Sequence, residues 1–595
     1  MAENTTSQSV WSQSLSVKTQ FGLGVWLMRQ TRGQLAYFIG SLIAIIAQSV
    51  LMTLTTKIFA NFLNTKLSDQ MTTTTRNLVI FAAIYSSWRI LQSIFSYLYT
   101  FLLGRGAIRA QADIRMQIFT KLHSLGMRFF DQVPAGSLVT RTVNDTSTFW
   151  DFYFFIFSLF SALSLIVGSF VGLFLSNVYV SSWLLLIFPI IIVILFVYQR
   201  FSSSIFRGMR AKLSELNAKI AESISGISVI QDFNQEARFS DDFSRENDNY
   251  FHARYRMIRA DALIDISRDL TGGLALALAM ALLGQLSLNN AIAAGTIYAV
   301  INYISAIFEP LRNITNQMSV LQEATVSAYR VKNLLSEDEY DPRQNANATG
   351  KITRGKIEFR NVSFSYDGEN QILKNISFVA EPGQTIAFVG HTGSGKSSTI
   401  NALMRFYEFD SGQILIDDID IRDIDPKSLR EQMGLVLQEP FLFYGDLAFN
   451  IRMYDDSLSD TAVATAARLV GADKFIDKLS NGYQTLVNEN GAGFSAGEKQ
   501  LISFARTIAH DPKILILDEA TSHIDTASES LIQESLLKIQ ENRTTIAIAH
   551  RLSTIKHANL ILVLDKGQIV EQGTHAELIS KGGYYAELIA LQNKA

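Results

Sequence analysis

The stretch Gly390-His391-Thr392-Gly393-Ser394-Gly395-Lys396-Ser397 decides how the second half of this 595-residue chain folds. It has the form G-x-x-x-x-G-K-[ST], the loop that wraps the phosphates of a nucleoside triphosphate. The apolar run Thr385–Val389 before it reads as a buried strand, and Ser398–Met404 after it reads as a helix. That strand–loop–helix context is what the loop needs. Glycine adopts backbone angles that other residues avoid, so successive N–H groups can turn onto phosphate oxygens. The helix N-terminus adds a partial positive charge. Lys396 is expected to reach the β- and γ-phosphates and the Ser397 hydroxyl to hold Mg²⁺. Gly390, His391, Thr392, Gly393, Ser394, Gly395 and Ser398 complete the expected phosphate-binding set.

Partner motifs follow in order. Ile514–Leu517 is an apolar strand that ends on Asp518 and Glu519. Asp518 is expected to bind Mg²⁺, directly or through water, and Glu519 to orient and polarise the attacking water. A second strand, Thr544–Ala549, ends at His550. It stops at the sheet edge where ligands of open α/β sheets bind, so His550 is expected to contact the γ-phosphate. Gln438, after Gly434-Leu435-Val436-Leu437, is a further candidate for catalysis and for the metal.

Between these strands lies Phe494-Ser495-Ala496-Gly497-Glu498-Lys499-Gln500. Here the chain resembles the ATP-binding cassette (ABC) transporter family, whose signature is L-S-G-G-Q. Tyr366 matches the aromatic that stacks on adenine in that family, Ser522-His523-Ile524-Asp525 its D-loop and Gln438 its Q-loop. Gly567 and Glu571–His575 match its closing segment. The resemblance covers residues from about 354 to 590. It implies that ATP and Mg²⁺ are the ligands, that Asp525 joins the nucleotide site, and that Ser495 and Gly497 face the phosphate loop of a second cassette.

The first half differs in character. Apolar residues make up 48% of the whole chain, an ordinary share that hides the split. Before residue 312 there are six apolar runs of membrane-spanning length, roughly 36–58, 77–104, 150–175, 182–199, 270–288 and 291–311. The segment between runs two and three carries Arg105, Arg109, Arg115, Lys121, Arg128 and Arg141. The segment between runs four and five is also rich in Lys and Arg, whereas the connections after runs three and five carry none. The positive-inside rule places both basic segments, the N-terminus and the nucleotide domain in the cytoplasm of a multi-pass protein of the cell membrane. Both segments read as helical extensions beyond the membrane. Residues 130–141 resemble the family's first coupling region. Glu222, Gly226, Val229, Ile230, Phe233 and Glu236 resemble its second, each expected as a short helix docked on an ATPase domain.

The expected architecture is an all-α transmembrane domain of six helices with long cytoplasmic extensions, followed by an α/β P-loop ATPase domain. Residues 1–35 form a tail and elbow, 36–320 the transmembrane domain, 321–353 a linker and 354–595 the nucleotide-binding domain. This order on one chain is similar to ABC exporters. A monomer would hold incomplete sites, so a second half-transporter is the expected partner.

The signature departs from the family twice. Ala496 replaces a glycine, and Glu498 replaces glutamine. A carboxylate about 5 Å from the γ-phosphate would cost on the order of 3 kcal/mol at an effective dielectric near 20. That pattern resembles one subunit of heterodimeric bacterial multidrug exporters, in which one ATP site is complete and the other degenerate. A homodimeric lipid or peptide exporter is the alternative. Both readings imply membrane lipid and a hydrophobic or amphiphilic small-molecule substrate as partners.

Polar residues in the spans include Gln48, Arg89, Gln92, Gln285 and Glu309, and Arg268 is placed to pair with Asp265 and Asp269. The phenylalanines Phe152, Phe154, Phe155, Phe157 and Phe160 are expected to face lipid in the main. The chain has no cysteine, which excludes disulfides and metal-thiolate sites. Its basic residues are dispersed among acids at helical spacing, a pattern that does not suggest nucleic-acid binding. No early apolar run follows the N-terminus, so a cleaved signal peptide is not expected.

Overall fold

The computed structural model describes residues 17–67, 75–289, 292–488, 491–518, 526–548 and 555–592. The chain divides into two compact units. One comprises residues 1–122 and 136–336, and the other residues 123–135 and 337–595.

The first unit is helical. In chain order its main elements are α1 (Val17–Gln30), α2 (Leu35–Phe62), α3 (Thr75–Leu122), α5 (Ala135–Thr140), α6 (Thr146–Ser176), α7 (Val178–Leu184), α8 (Ile187–Ser225), α9 (Ile227–Asp232), α10 (Glu236–Asn289) and α11 (Ala294–Leu335). α3 has 48 residues and α10 has 54. At 1.5 Å per residue they run about 70–80 Å, more than twice a hydrocarbon core of about 30 Å. Helical extensions outside the membrane follow directly. Among the described residues, four helical stretches are long and apolar enough to cross a membrane: Arg32–Thr65, Thr75–Leu122, Ala135–Ser176 and Glu236–Leu286. The expected runs at 182–199 and 291–311 lie on α7–α8 and α11. Asn177 caps α7 by accepting from the Val180 N–H, and Pro189 sits in the first turn of α8, where its missing N–H is tolerated.

Packing inside this unit is close. The Tyr303 ring of α11 is buried, and its hydroxyl donates to the Thr53 carbonyl at 2.9 Å. A Cβ on Gly172 of α6 would lie 2.4 Å from that ring, so only glycine lets the two helices meet there. Phe152, Phe155 and Phe157 are buried rather than lipid-facing, because α1, α2 and α11 pack around α6. Phe38 packs 5.6 Å from Phe157, and Tyr153 donates to the Leu27 carbonyl. Phe160 alone of the five is exposed. Arg268 is neutralised as expected, by Asp265 at 2.7 Å and Asp269 at 2.9 Å.

The expected linker at 321–353 divides in two. Residues up to Leu335 continue α11. Ala324, Ala328 and Val331 recur at helical spacing and are fully buried, which explains why the helix persists. Residues 337–353 belong to the second unit and bind its surface. Gln344 donates to the carbonyls of Ile421 and Ile424, the Asn345 N–H to Arg422 and the Gly350 N–H to Asp423.

The second unit is α/β. Its strands are β1 (Ile357–Ser365), β2 (Gln371–Ala380), β3 (Thr385–Val389), β4 (Ser411–Ile416), β5 (Ile419–Asp420), β6 (Met433–Val436), β7 (Gly445–Asp446), β8 (Leu486–Val487), β9 (Ile514–Asp518), β10 (Thr544–Ile548), β11 (Leu560–Asp565) and β12 (Gln568–Gly573). A six-stranded sheet has the order β12-β11-β3-β10-β9-β6, parallel apart from β12. β9 and β10 are buried along almost their whole length, as expected of strands covered on both faces. A four-stranded antiparallel sheet, β2-β1-β4-β5, packs against it through Phe359, Phe378 and Phe388. A helical portion with its own core contains α14 (Leu447–Arg452), α15 (Asp460–Leu469), α16 (Asp473–Ile476) and α17 (Ala496–Ala509), after α12 (Lys396–Leu403) and α13 (Pro426–Glu431). Residues 123–135, with α4 (Met127–Gln132), also belong to this unit.

Candidate functional site

Strand register puts the candidate residues at one edge of the six-stranded sheet. Phe388 of β3 is paired with Ile548 of β10, and Ile548 with Asp518 of β9; Leu517 is paired with Val436 of β6. Because these strands are parallel, all their C-terminal ends lie on the same edge. The loop Gly390–Ser397 leaves β3 there, Gln438 follows β6, and Asp518 ends β9. Glu519, Asp525 and His550 lie outside the described residues; Glu519 follows Asp518 in the chain, and His550 is two residues beyond the end of β10. This is the position where open α/β sheets bind ligands.

The loop has the conformation its glycines predict. Gly390, Gly393 and Gly395 have φ of +155°, +81° and +108°. A Cβ on Gly395 would stand 2.8 Å from the Leu373 side chain. Gly395 is the N-cap of α12, so the loop delivers its chain into a helix N-terminus. Lys396 is buried beneath the loop and donates to the carbonyls of Gly390 at 2.8 Å and His391 at 3.0 Å. Among the described residues the buried Ser394 hydroxyl has no hydrogen-bond partner. Three left-handed glycines, a cation under the loop, an unsatisfied buried hydroxyl and a helix N-terminus together fit a polyphosphate. The Ser397 side chain is exposed and Asp518 half-buried. They offer oxygen donors of the type that suits Mg²⁺.

Tyr366 stands beside α12. Its hydroxyl lies 3.1 Å from Ser398 Oγ and accepts from Asn401 Nδ2 at 3.0 Å. Its ring packs edge-on with Phe364 at 4.7 Å and with Tyr407 at 5.0 Å. Ser398 is therefore committed to Tyr366, on the buried side of the helix.

Tyr407 was not evident from the sequence. Its hydroxyl donates to the Asp131 carboxylate on α4. The segment around α4 is held further by the Gly126 N–H donating to the Glu339 carbonyl and by an Arg128–Glu339 ion pair at 3.8 Å. Arg405, nearby, pairs with Glu408 and donates to the Arg343 carbonyl. The residues just after α12 thus meet both α4 and the strand of chain that follows α11. The only sequence signal was an aromatic pair, Phe406-Tyr407, closing the phosphate-loop helix.

The signature segment opens α17. Ser495 is its N-cap and Glu498 its third residue, and the two form a capping box. Gly497 is buried in the first turn. Farther along α17, Arg506 donates to the carbonyls of Asn450 (2.7 Å) and Phe441 (2.9 Å). Burial pushes its pKa down to about 10. This arginine fixes the loop after Gln438 to the signature helix, and a lone base on the apolar face of α17 was the available sequence cue. The segment that resembles the second coupling region forms α9 after a helix break at Gly226. Ile230 is buried, while Val229 and Phe233 are exposed at 57% and 71%.

Comparison with known proteins gives a consistent result. Residues 38–311 match the model of the ABC transporter transmembrane region, and residues 373–522 match that of the ABC transporter ATP-binding domain family, described as "ABC transporter". The putative ABC transporter ATP-binding protein exp8 of Streptococcus pneumoniae is 44% identical over 92% of this chain and 93% of its own length. The probable multidrug resistance protein YheH of Bacillus subtilis is 39% identical over 87% of this chain and 77% of its own. A fatty acid ABC transporter of Mycobacterium tuberculosis is 35% identical over 82% and 77%. A solved bacterial Atm1-family ABC exporter with ATP bound superposes with a TM-score of 0.77 over 94% of this chain and 99% of that one, at 26% identity.

Proposed function

The chain belongs to the ABC transporter family, as a multi-pass membrane exporter with a transport-coupled ATPase domain, and from that premise we propose that it exports hydrophobic or amphiphilic compounds as half of a heterodimer with one degenerate ATP site. Exporters of this family act as dimers. The observation that carries the heterodimer reading is the contrast inside one cassette. The phosphate loop is intact, with Lys396 and Asp518 in place, whereas the signature carries Ala496 and Glu498. Such a chain supplies catalytic groups to one site and an altered signature to the other.

In this reading the loop amides, Lys396 and Ser397 hold the triphosphate of ATP, and Tyr366 packs against the adenine. Ser397, Gln438 and Asp518 would hold Mg²⁺, which would offset the charge of the phosphates. Glu519 orients the attacking water and His550 contacts the γ-phosphate. Ser495 and Gly497 face the partner's loop, and Asp525 completes the boundary between the cassettes. ATP drives transport by binding the closed pair of cassettes more tightly than the open pair; equal affinity would move nothing. The names of the similar proteins, multidrug in one and fatty acid in another, support an apolar or amphiphilic cargo.

Co-purification from the native host tests this. The expected result is a second half-transporter in equal amount, lacking an acid at the position matching Glu519. A single species with full ATPase activity would overturn it. One observation favours the alternative, a homodimeric lipid or peptide exporter. A capping box accepts glutamate and glutamine alike, so Glu498 fits the geometry of an ordinary signature helix.

A further inference from the structure

Arg89 is the one charged residue in the apolar run 77–104, and it sits near the middle of that run. A charge at that depth is costly and faces protein or water rather than lipid. Several other bases of the helical unit have evident partners. Arg268 has two aspartates, Arg330 has Asp145, and Arg109 has the Tyr37 ring and hydroxyl. Arg89 instead donates to Gln92 Oε1 at 3.0 Å, an uncharged group on its own helix. Its side chain is exposed, and among the described residues no carboxylate lies within ion-pair distance.

The surroundings are aromatic. Phe81, Tyr85 and Arg89 are spaced i, i+4, i+8 and share one face of α3. Phe59 of α2 packs against this face, with its ring 5.7 Å from Phe81, 5.6 Å from Tyr85 and 4.6 Å from Tyr298 of α11. Three helices thus build an apolar, ring-lined wall that ends in a single uncompensated guanidinium.

We propose that Arg89 and the rings of Phe59, Phe81, Tyr85 and Tyr298 form a binding site for an anionic amphiphile. Its carboxylate or phosphate head meets the guanidinium, which is suited to bidentate contact with such groups, and its apolar body lies along the rings. A cationic amphiphile is repelled at the same point. The inference rests on the amphiphile-export reading and adds a charge preference to it.

The test uses the full-length chain, assembled with its partner, in proteoliposomes. The probes are hexadecyl phosphate, hexadecanol and hexadecyltrimethylammonium, which share a chain and differ in charge. Stimulation of ATPase is measured relative to each variant's own basal rate. The wild type is expected to respond at the lowest concentration to the phosphate. Arg89→Gln is expected to raise the half-maximal concentration for the phosphate about tenfold or more and to leave the other two within about twofold. Arg89→Lys is expected to keep most of the response. Equal shifts for all three probes, or no shift for the phosphate, would overturn the site. The wild-type ranking is a test in itself should the glutamine variant fail to assemble. Stimulation by the alcohol or the cation but not by the phosphate refutes the charge preference alone. No stimulation by any probe refutes the amphiphile reading and this site with it.

Discussion

The carboxylate of Glu498 folds back onto Ser495. Its Oε2 accepts from the Ser495 N–H at 2.8 Å and from the Ser495 hydroxyl at 2.9 Å, and the Glu498 N–H points to Ser495 Oγ at 3.3 Å. The residue that distinguishes this signature therefore acts first as a helix cap, and it engages the hydroxyl that a facing phosphate would need. Two consequences separate by substitution. Glu498→Gln preserves the cap and is expected to change the thermal stability of the purified protein by less than about 0.5 kcal/mol, whereas Glu498→Ala loses about 1 kcal/mol. Glu498→Gln also frees the Ser495 hydroxyl from a charged acceptor, so ATPase of the assembled transporter is expected to rise modestly. Equal destabilisation by both substitutions would contradict the capping role.

Gly395 is required for two reasons at once. Its φ of +108° disfavours any side chain, and the added Cβ would meet Leu373 at 2.8 Å. Gly395→Ala is expected to reduce ATP affinity at least tenfold, measured by equilibrium binding of a fluorescent nucleotide. Gly368→Ala is the comparison, because that glycine also has positive φ but open space around it. Unchanged affinity in Gly395→Ala would contradict the loop geometry.

Tyr407 links Tyr366 to Asp131. Tyr407→Phe keeps the ring and removes the hydroxyl. Nucleotide affinity is expected to stay within about twofold, while stimulation of ATPase by transported compound falls several-fold. A loss of nucleotide affinity with stimulation intact would contradict a role in coupling α4 to the nucleotide site.

Asp145 is a buried acid of the helical unit. It pairs with Arg330 at 3.0 Å and accepts from Ser327 at 3.0 Å. Removing one partner of a buried pair leaves the other's charge uncompensated, so Asp145→Asn is expected to cost about 3–5 kcal/mol. Asp145→Asn combined with Arg330→Met is expected to recover much of that loss. Thermal unfolding of the detergent-purified protein measures both, and additive losses would contradict direct pairing.

Sequence legibility followed the physics of each element. β3, β9 and β10 are continuous apolar runs bounded by polar residues, and the run into Lys396 has few alternative readings. The long helices were legible because no loop of that length would alternate charges at helical spacing. What escaped depended on contacts distant in sequence. The burial of Phe152, Phe155 and Phe157 is set by the helices packed around α6, namely α1, α2 and α11, not by α6 itself. The persistence of α11 past residue 320 depends on small buried residues, Ala324 and Ala328, whose pattern is weaker than that of leucines. The four-residue pattern Ser495–Glu498 ahead of Leu501 is both a capping box and a near-match to a transporter signature, and residue type alone does not separate the two roles.

The most direct test of the central claim is ATP-driven uptake of an amphiphile into inside-out vesicles that contain the assembled full-length transporter, with Glu519→Gln beside the wild type. The account predicts uptake against a gradient by the wild type, and near-complete loss of both uptake and hydrolysis in Glu519→Gln with ATP binding retained. Undiminished hydrolysis in Glu519→Gln, or full activity from an isolated monomer, would contradict it.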